Sequence, residues 1–237
     1  MNLLAFDTST DMLSIAVQGN DGTVWEHQGP GGAQASATLI PAICSLTAQA
    51  GCSFETLDVI VFGRGPGSFT GLRTACAVAQ GLAFGARAGL GIPVLPVDTL
   101  VAVAEDARHQ HGAQRVVAVL DARMDEVYHG RCEWQAATGR WVTDTDFGLS
   151  SPEQVQVPGG WTVAGNAQQP YSGRLAPGAT HVHALPTAAA LLRLAPGLLD
   201  AGGAVPARDA LPRYIRDKVA HTTAERAALR AAAAPGA

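Results

Sequence analysis

Short apolar runs alternate with stretches of helical period through most of the chain. Leu3, Leu4, Ala5 and Phe6 form a run that stops at Asp7-Thr8-Ser9-Thr10, a polar turn cluster, and predict a strand. Met12 to Gln18 predicts a second strand. The turn signal Asn20-Asp21-Gly22 follows, and Thr23 to His27 predicts a third strand. Gly29 to Gly32 predicts a flexible break.

The period then changes. Leu39, Ile43, Leu46 and Ala50 recur at helical spacing, so Ser36 to Ala50 predicts a helix ended by Gly51. Pro41 fits best if Thr38 is the cap, because its missing N–H then falls in the first turn; the alternative is a bend. Asp58 to Gly63 predicts a buried strand, and a Gly/Pro loop leads to a second helix from Ser68 to about Ala88. Leu72, Cys76, Ala79 and Leu82 lie on one face of that helix. Gly81 and Gly85 weaken it unless something packs closely against it. Ile92 to Val97 predicts a strand, and Asp98 or Thr99 caps a helix to about His109.

The opening pattern then returns. Arg115 to Leu120 ends at Asp121-Ala122-Arg123, Glu126 to Cys132 predicts the next strand, and Trp141 to Thr143 comes back after Thr138-Gly139. Asp7 and Asp121 hold equivalent places, so the pattern reads either as an internal duplication or as two similar hairpins. Trp161 to Gly165 predicts a strand, Pro186 to Leu199 a helix stopping before Pro196, and Thr222 to Ala234 an Ala-rich helix or frayed tail.

Composition narrows the function classes. With 237 residues, and about 100–200 per domain, one large domain or two small ones are expected. Hydrophobic residues at 47% can build a sizeable core, which excludes wholesale disorder. Lys218 is the only lysine, so no mechanism can use a phosphate-gripping Lys before the tail. A net charge of -4 without clustered cations, and few aromatics, argue against a stand-alone nucleic-acid binder. Cys44, Cys52, Cys76 and Cys132 form no C-x-x-C pair, and no apolar stretch suits a membrane span. Asp7 interrupts any signal-peptide core, so a soluble cytoplasmic protein with reduced thiols is expected.

Candidate chemistry centres on Gly63 to Arg73, GRGPGSFTGLR. Between a strand and a helix, Arg64, Gly65, Pro66, Gly67, Ser68, Thr70 and Gly71 suit either an anion cradle or a tight turn capped by Ser68 or Thr70. The segment lacks the Gly-Lys-Ser/Thr of a P-loop, the spacing of a dinucleotide fingerprint and the glycines of a nucleophile elbow. Asp7 and Asp121 suit either paired ligands of a metal-nucleotide or turn caps. Thr8, Ser9 and Thr10 suit a phosphate hairpin, whereas Ala122, Arg123 and Met124 do not, so a nucleotide cleft looks degraded. His109-x-His111 and His181-x-His183 lack helical metal spacing and read as solvated residues.

Four segments in order, LAFDTST (Leu4–Thr10), GRGPGSFTGLR, DARMDEVY (Asp121–Tyr128) and PRYIR (Pro212–Arg216), resemble the TsaB (YeaZ) family. The resemblance implies an α/β, actin/hexokinase/Hsp70-like (ribonuclease H-like) two-lobed fold with duplicated βββαβα units. Residues 1–112 would form the first lobe and 113–237 the second, with a C-terminal helical tail. It implies a non-catalytic subunit that dimerises with TsaD, joined by the ATPase TsaE, in making threonylcarbamoyladenosine beside the tRNA anticodon. The tRNA would be met only through that complex, no metal or cofactor would be held by the isolated chain, and a nucleotide could sit at the complex interface.

By the same resemblance the two first-lobe helices carry the pairing surface. The residues that map there are Leu39, Ile43, Leu46, Leu72, Arg73, Cys76, Ala79 and Leu82, although periodicity leaves open which face looks outward. Self-pairing through the same surface is a further expectation. The metal-binding H-x-x-x-H of the catalytic paralogue has no counterpart in Ser36 to Ala50. Where the family often has His-Ser before Leu-Leu-Pro, this chain has Ala35-Ser36 before Leu39-Ile40-Pro41. The rival readings are a nucleotide-dependent phosphotransferase or ATPase of the same fold and, third, a protease.

Overall fold

The computed structural model describes residues 1–216, and the helix expected over Thr222 to Ala234 lies outside them. Strands β1 (Leu3–Asp7), β2 (Met12–Gln18), β3 (Val24–Pro30), β4 (Val59–Gly65) and β5 (Val94–Asp98) form one sheet in the order β3-β2-β1-β4-β5. Strands β6 (Arg115–Arg123), β7 (Glu126–Gln135), β8 (Arg140–Thr143), β10 (Thr162–Gly165) and β11 (Thr180–His183) form a second sheet in the order β11-β10-β6-β7-β8, with β9 (Gly148–Ser150) beside β7. Reversed, the second order repeats the first. In each sheet three antiparallel strands adjoin two parallel ones. The recurring pattern is therefore a duplication, and the fold is the two-lobed actin/hexokinase/Hsp70 type.

The copies differ in their helices. The first lobe carries α1 (Ala35–Gln49) between β3 and β4, and α2 (Phe69–Gly85) between β4 and β5. At the matching places the second lobe has only a 3-10 turn at Pro152–Gln154 and the single-turn α4 (Gln168–Tyr171). The second βββαβα unit thus keeps its strands and has lost most of two helices. α3 (Thr99–His111) follows the first sheet and α5 (Ala188–Asp200) the second.

Several boundaries depart from the sequence reading. The expected break at Gly29 to Gly32 is partly strand, because β3 pairs with β2 as far as Met12–Pro30. α1 starts at Ala35 behind a 3-10 turn, so Pro41 lies inside the helix rather than in its first turn. Pro41 and Ala37 are both exposed, so water can serve the carbonyl that Pro41 leaves without a donor. α5 likewise continues through Pro196. Strands β9 and β11 and helix α4 were missed, being too short to show a period.

The helices do not respect the division at residue 112. α3 buries Leu100, Val103, Ala104 and Ala107 against Val116, Ala118 and Leu120 of the second sheet. α5 buries Ala188, Leu191, Leu192 and Ala195 against Leu3, Ala5, Val59 and Val61 of the first. The first sheet ends at Asp98 and the second begins at Arg115, but each is covered by a helix from the other side of that gap. Burying an apolar helix stripe is worth roughly 25 cal/mol per Å² of apolar surface, so the exchange couples the two lobes. At the crossing, the buried Glu105 of α3 accepts from Arg108, from Arg193 of α5 and from the indole of Trp141. Burial pushes the Glu105 carboxyl up, but these donors and cations together hold it below its ordinary range.

Candidate functional site

The glycines of the GRGPGSFTGLR segment serve close approach. A Cβ on Gly63 would overlap the Asp7 carboxyl, and one on Gly65 would stand 2.5 Å from the Arg213 carbonyl oxygen. On Gly67 it would stand 2.6 Å from the Ser9 carbonyl oxygen, and on Gly71 1.9 Å from that of Thr8. The segment is pressed between the turn after β1 and the chain near residue 213. Its N–H groups are partly used there: Gly65 donates to the Thr99 hydroxyl at 3.0 Å and Ser68 to the Ser9 carbonyl at 2.8 Å. This favours the tight turn over the anion cradle. Ser68 occupies the N-cap position of α2 but its hydroxyl makes no cap bond, and Thr70 lies inside the helix, so neither side chain caps as expected. Pro66 follows Gly65 through a cis peptide bond.

Arg64 turns inward. Its Nε and Nη2 reach both Asp98 carboxylate oxygens at 2.6 and 3.0 Å, an arrangement that holds the guanidinium above its ordinary pKa. Arg73 stays at the surface. It lies 3.8 Å over the Phe69 ring and donates to the Tyr214 hydroxyl at 3.1 Å.

Between the lobes lies a cavity of about 310 Å³, lined by Ser9, Gly67 and Phe69 on one side and Asp121, Arg123 and Asn166 on the other. Asp7 and Thr8 do not line it. Asp7 is fully buried: Oδ1 accepts from the Ser9 amide and hydroxyl, while Oδ2 lies against Gly63 with no hydrogen-bond partner. Burial pushes this carboxyl up to about 6, against the lowering effect of the Ser9 bonds. The Thr8 hydroxyl donates to the Gly71 carbonyl at 2.7 Å. Asp121 accepts from Tyr171 at 2.8 Å and from the Arg123 amide, and pairs with the Arg123 guanidinium. Each aspartate is thus committed inside its own lobe as a turn organiser, and the structure does not gather them as a joint cation site. Among the described residues no group of three or more His, Cys, Asp or Glu is placed to hold a metal.

The helix residues assigned from the sequence to a pairing surface lie mostly in the core. Leu39, Ile43, Leu46, Leu72, Cys76 and Ala79 are buried, and Leu82 is half-buried against the same first-lobe core. The reason is geometric: the apolar stripe with the strongest period is the one that covers β1, β2 and β4. Only Arg73 of that set is exposed. The outward faces carry Ala37, Ile40, Cys44 and Ala48 on α1, and Ala77, Gly81, Phe84 and Gly85 on α2. Ile40 is 45% exposed and Phe84 56%, while the two helices together hold one charged residue, Arg73. Surface helices ordinarily place charge on such faces, so a surface with Arg73 as its one charge is unusual.

Sequence reasoning also missed the ion pairs that join distant segments. Arg213 reaches Asp98 and Arg216 reaches Glu126, while Arg123 pairs with Asp11 across the lobes. Nothing local marks these partners, because roughly ninety or more residues separate them in each case.

Comparison with known proteins narrows this geometry to one lineage. The chain is 33% identical to the tRNA threonylcarbamoyladenosine biosynthesis protein TsaB of Escherichia coli, over 93% of this chain and 96% of that protein. The chain belongs to the TsaB family. A second TsaB, from Haemophilus influenzae, is 43% identical over 54% of this chain and 52% of its own length. The solved structure of YeaZ from Pseudomonas aeruginosa superposes with a TM-score of 0.81 at 38% identity, covering 90% of this chain and 99% of that one. The family model described as TsaD, tRNA N6-adenosine threonylcarbamoyltransferase, matches residues 29–169. A TsaB-family chain is therefore similar to the transferase model through α1, α2 and much of the second sheet. No described helix is long and apolar enough to cross a membrane.

Proposed function

We propose that this chain acts in tRNA threonylcarbamoyladenosine biosynthesis as a non-catalytic subunit. It pairs with the transferase TsaD through the outward faces of α1 and α2, and TsaE joins the pair. The observation that carries this reading is the uncharged surface of Ile40, Cys44, Ala77, Gly81 and Phe84. Gly81 and Gly85 support it further. Each has open space where a Cβ would stand, so neither is needed for packing within the chain. Gly81 is interior to α2, where a glycine costs about 0.5–1 kcal/mol relative to alanine, and close approach of a partner helix would offset that cost; Gly85 is the last residue of the helix. The similarity to the TsaD model agrees with a partner of related fold, since paralogous helices present matching faces.

The lack of catalysis is supported by residue roles. Asp7 and Asp121 are both engaged in turn hydrogen bonding, and α1 contains no histidine. Contact with tRNA would come only through the complex, in keeping with a net charge of -4. The test is to combine purified chain, TsaD, TsaE and threonylcarbamoyl-adenylate with unmodified tRNA and omit one protein at a time. Modification should require this chain, and the chain with TsaE alone should give none. Undiminished modification without it would overturn the reading.

A further inference from the structure

Residues 207–216 run from the core of one lobe into the core of the other. Ala207 and Ala210 are buried with Leu4, Phe6 and Cys76 in the first lobe. The Ala210 carbonyl accepts from the Cys76 thiol and from Gln80 Nε2, both on α2. A few residues later Ile215 packs against the cluster of Leu100, Val116 and Tyr128 that underlies the second sheet.

The side chains between and beyond these anchors also divide between the lobes. The Arg213 amide donates to the Arg64 carbonyl at 2.7 Å, and its guanidinium reaches Asp98 of the first sheet at 3.1 Å. The same guanidinium lies 4.5 Å over the Phe147 ring of the second lobe. Arg216 reaches Glu126 of β7 at 2.5 Å and the Arg123 carbonyl at 3.3 Å. The Tyr214 ring packs at a tilt against Phe69, in the first turn of α2, with centroids 5.2 Å apart, and its hydroxyl accepts from Arg73. The Arg216 side chain is only 12% exposed and its partner Glu126 38%, so the pair is partly shielded from solvent. By contrast the direct interlobe pair of Arg123 with Asp11 is 66% and 78% exposed, where water and salt screen it.

We propose that residues 210–216 form an internal strap that locks the two lobes at a fixed angle and anchors the first turn of α2. A two-lobed protein with a central cleft can open by hinge motion, and residues that bind both lobes at once resist it. Opening here requires withdrawing Ile215 from the second-lobe core or breaking the contacts of Arg213 and Arg216. The strap also borders the cavity, which Arg213, Tyr214, Ile215 and Arg216 all line. The cleft therefore works as a closed joint that fixes the orientation of α1 and α2. This deepens the scaffold reading, but the measurement below uses the chain alone and stands whatever its partner proves to be.

The experiment places spin labels at Asn20 and Ala137, exposed sites on different lobes, after replacing Cys44 and Cys52 by serine, and reads interlobe distances by pulsed electron resonance. The wild-type chain should give a narrow distribution that MgATP leaves unchanged. The double variant Arg213→Ala/Arg216→Ala should broaden it and shift it to longer distances. If that variant does not fold, Arg216→Gln, which keeps a polar side chain, takes its place and should broaden the distribution less. A broad wild-type distribution, a wild-type shift on adding MgATP, or a folded strap variant that keeps the wild-type distribution would each overturn the proposal. Pairing with TsaD, measured separately by light scattering, reports on the scaffold reading independently.

Discussion

Gly71 and Thr8 are held together closely: the Thr8 side-chain hydroxyl donates to the Gly71 carbonyl at 2.7 Å, and a Cβ on Gly71 would stand 1.9 Å from the Thr8 carbonyl oxygen. This fastens the start of α2 to the turn after β1. Gly71→Ala must push backbone apart, since no flexible side chain can yield. Overpacking of this kind costs about 1–3 kcal/mol and sometimes more. Chemical denaturation of the purified variant should show a loss in that range. Wild-type stability in Gly71→Ala would mean the contact is looser than described.

Gly81 gives the opposite case. It lies in the interior of α2, exposed, with open space where a side chain would go. Gly81→Ala should stabilise the isolated chain by about 0.5–1 kcal/mol, the usual difference in helix propensity. If α2 meets a partner helix closely, the same methyl should weaken pairing. A thermal melt and a titration against TsaD read the two effects separately, and a gain in both would remove Gly81 from the contact.

Ile40 and Ile43 lie less than one turn apart on α1, roughly 60° around its axis, yet the core covers only one of them. Ile43 is fully buried and Ile40 is 45% exposed. Ile43→Asp puts a carboxylate among apolar side chains and should unfold the first lobe, as a loss of circular dichroism would show. Ile40→Asp should leave the fold intact and abolish pairing with TsaD and tRNA modification together. A folded Ile40→Asp chain that pairs normally would move the docking face elsewhere.

Asp7 should leave a signature in the pH dependence of stability. Its folded pKa is raised to about 6 by burial, above the ordinary aspartate value of 3.8. Between those two values the folded chain holds a proton that the unfolded chain has released. Stability from this group therefore falls as pH rises through the window, and the full cost, a few kcal/mol, is present above it. Asp7→Asn cannot ionise and should flatten that slope. Denaturant midpoints of both proteins from pH 4 to 7 should converge at the acid end and diverge toward neutrality; parallel curves would show that Asp7 does not titrate there.

Element positions were largely legible because burial imposes a period on neighbouring residues. β2 runs from Met12 to Gln18 as the pattern indicates, and the repeat of Leu4–Asp7 at Val116–Asp121 corresponds to a repeated sheet order. Boundaries at prolines were less legible. Pro41 and Pro196 both lie inside helices, because packing along the rest of each helix outweighs the local penalty. The site was half legible. The Gly63 to Arg73 segment is its centre, but Arg64 turns inward to Asp98, and most helix residues assigned to a contact surface are core.

The sequence by itself determined most of the strands and the place of the glycine-rich segment, since each is written in spacing over a few residues, and it left open both the duplication and whether that segment is a tight turn. The tertiary structure decided the rest. A helical period reports that one face is covered without saying by what, so the sheet had to be in place before the bare face of Ile40 and Gly81 could be told from the buried face of Leu39 and Ala79. The glycines acquired their reason only when Thr8, Ser9 and Arg213 closed around them. The bridge from Ala210 to Arg216 depends on lobes that the chain brings together only after nearly all of it has been laid down.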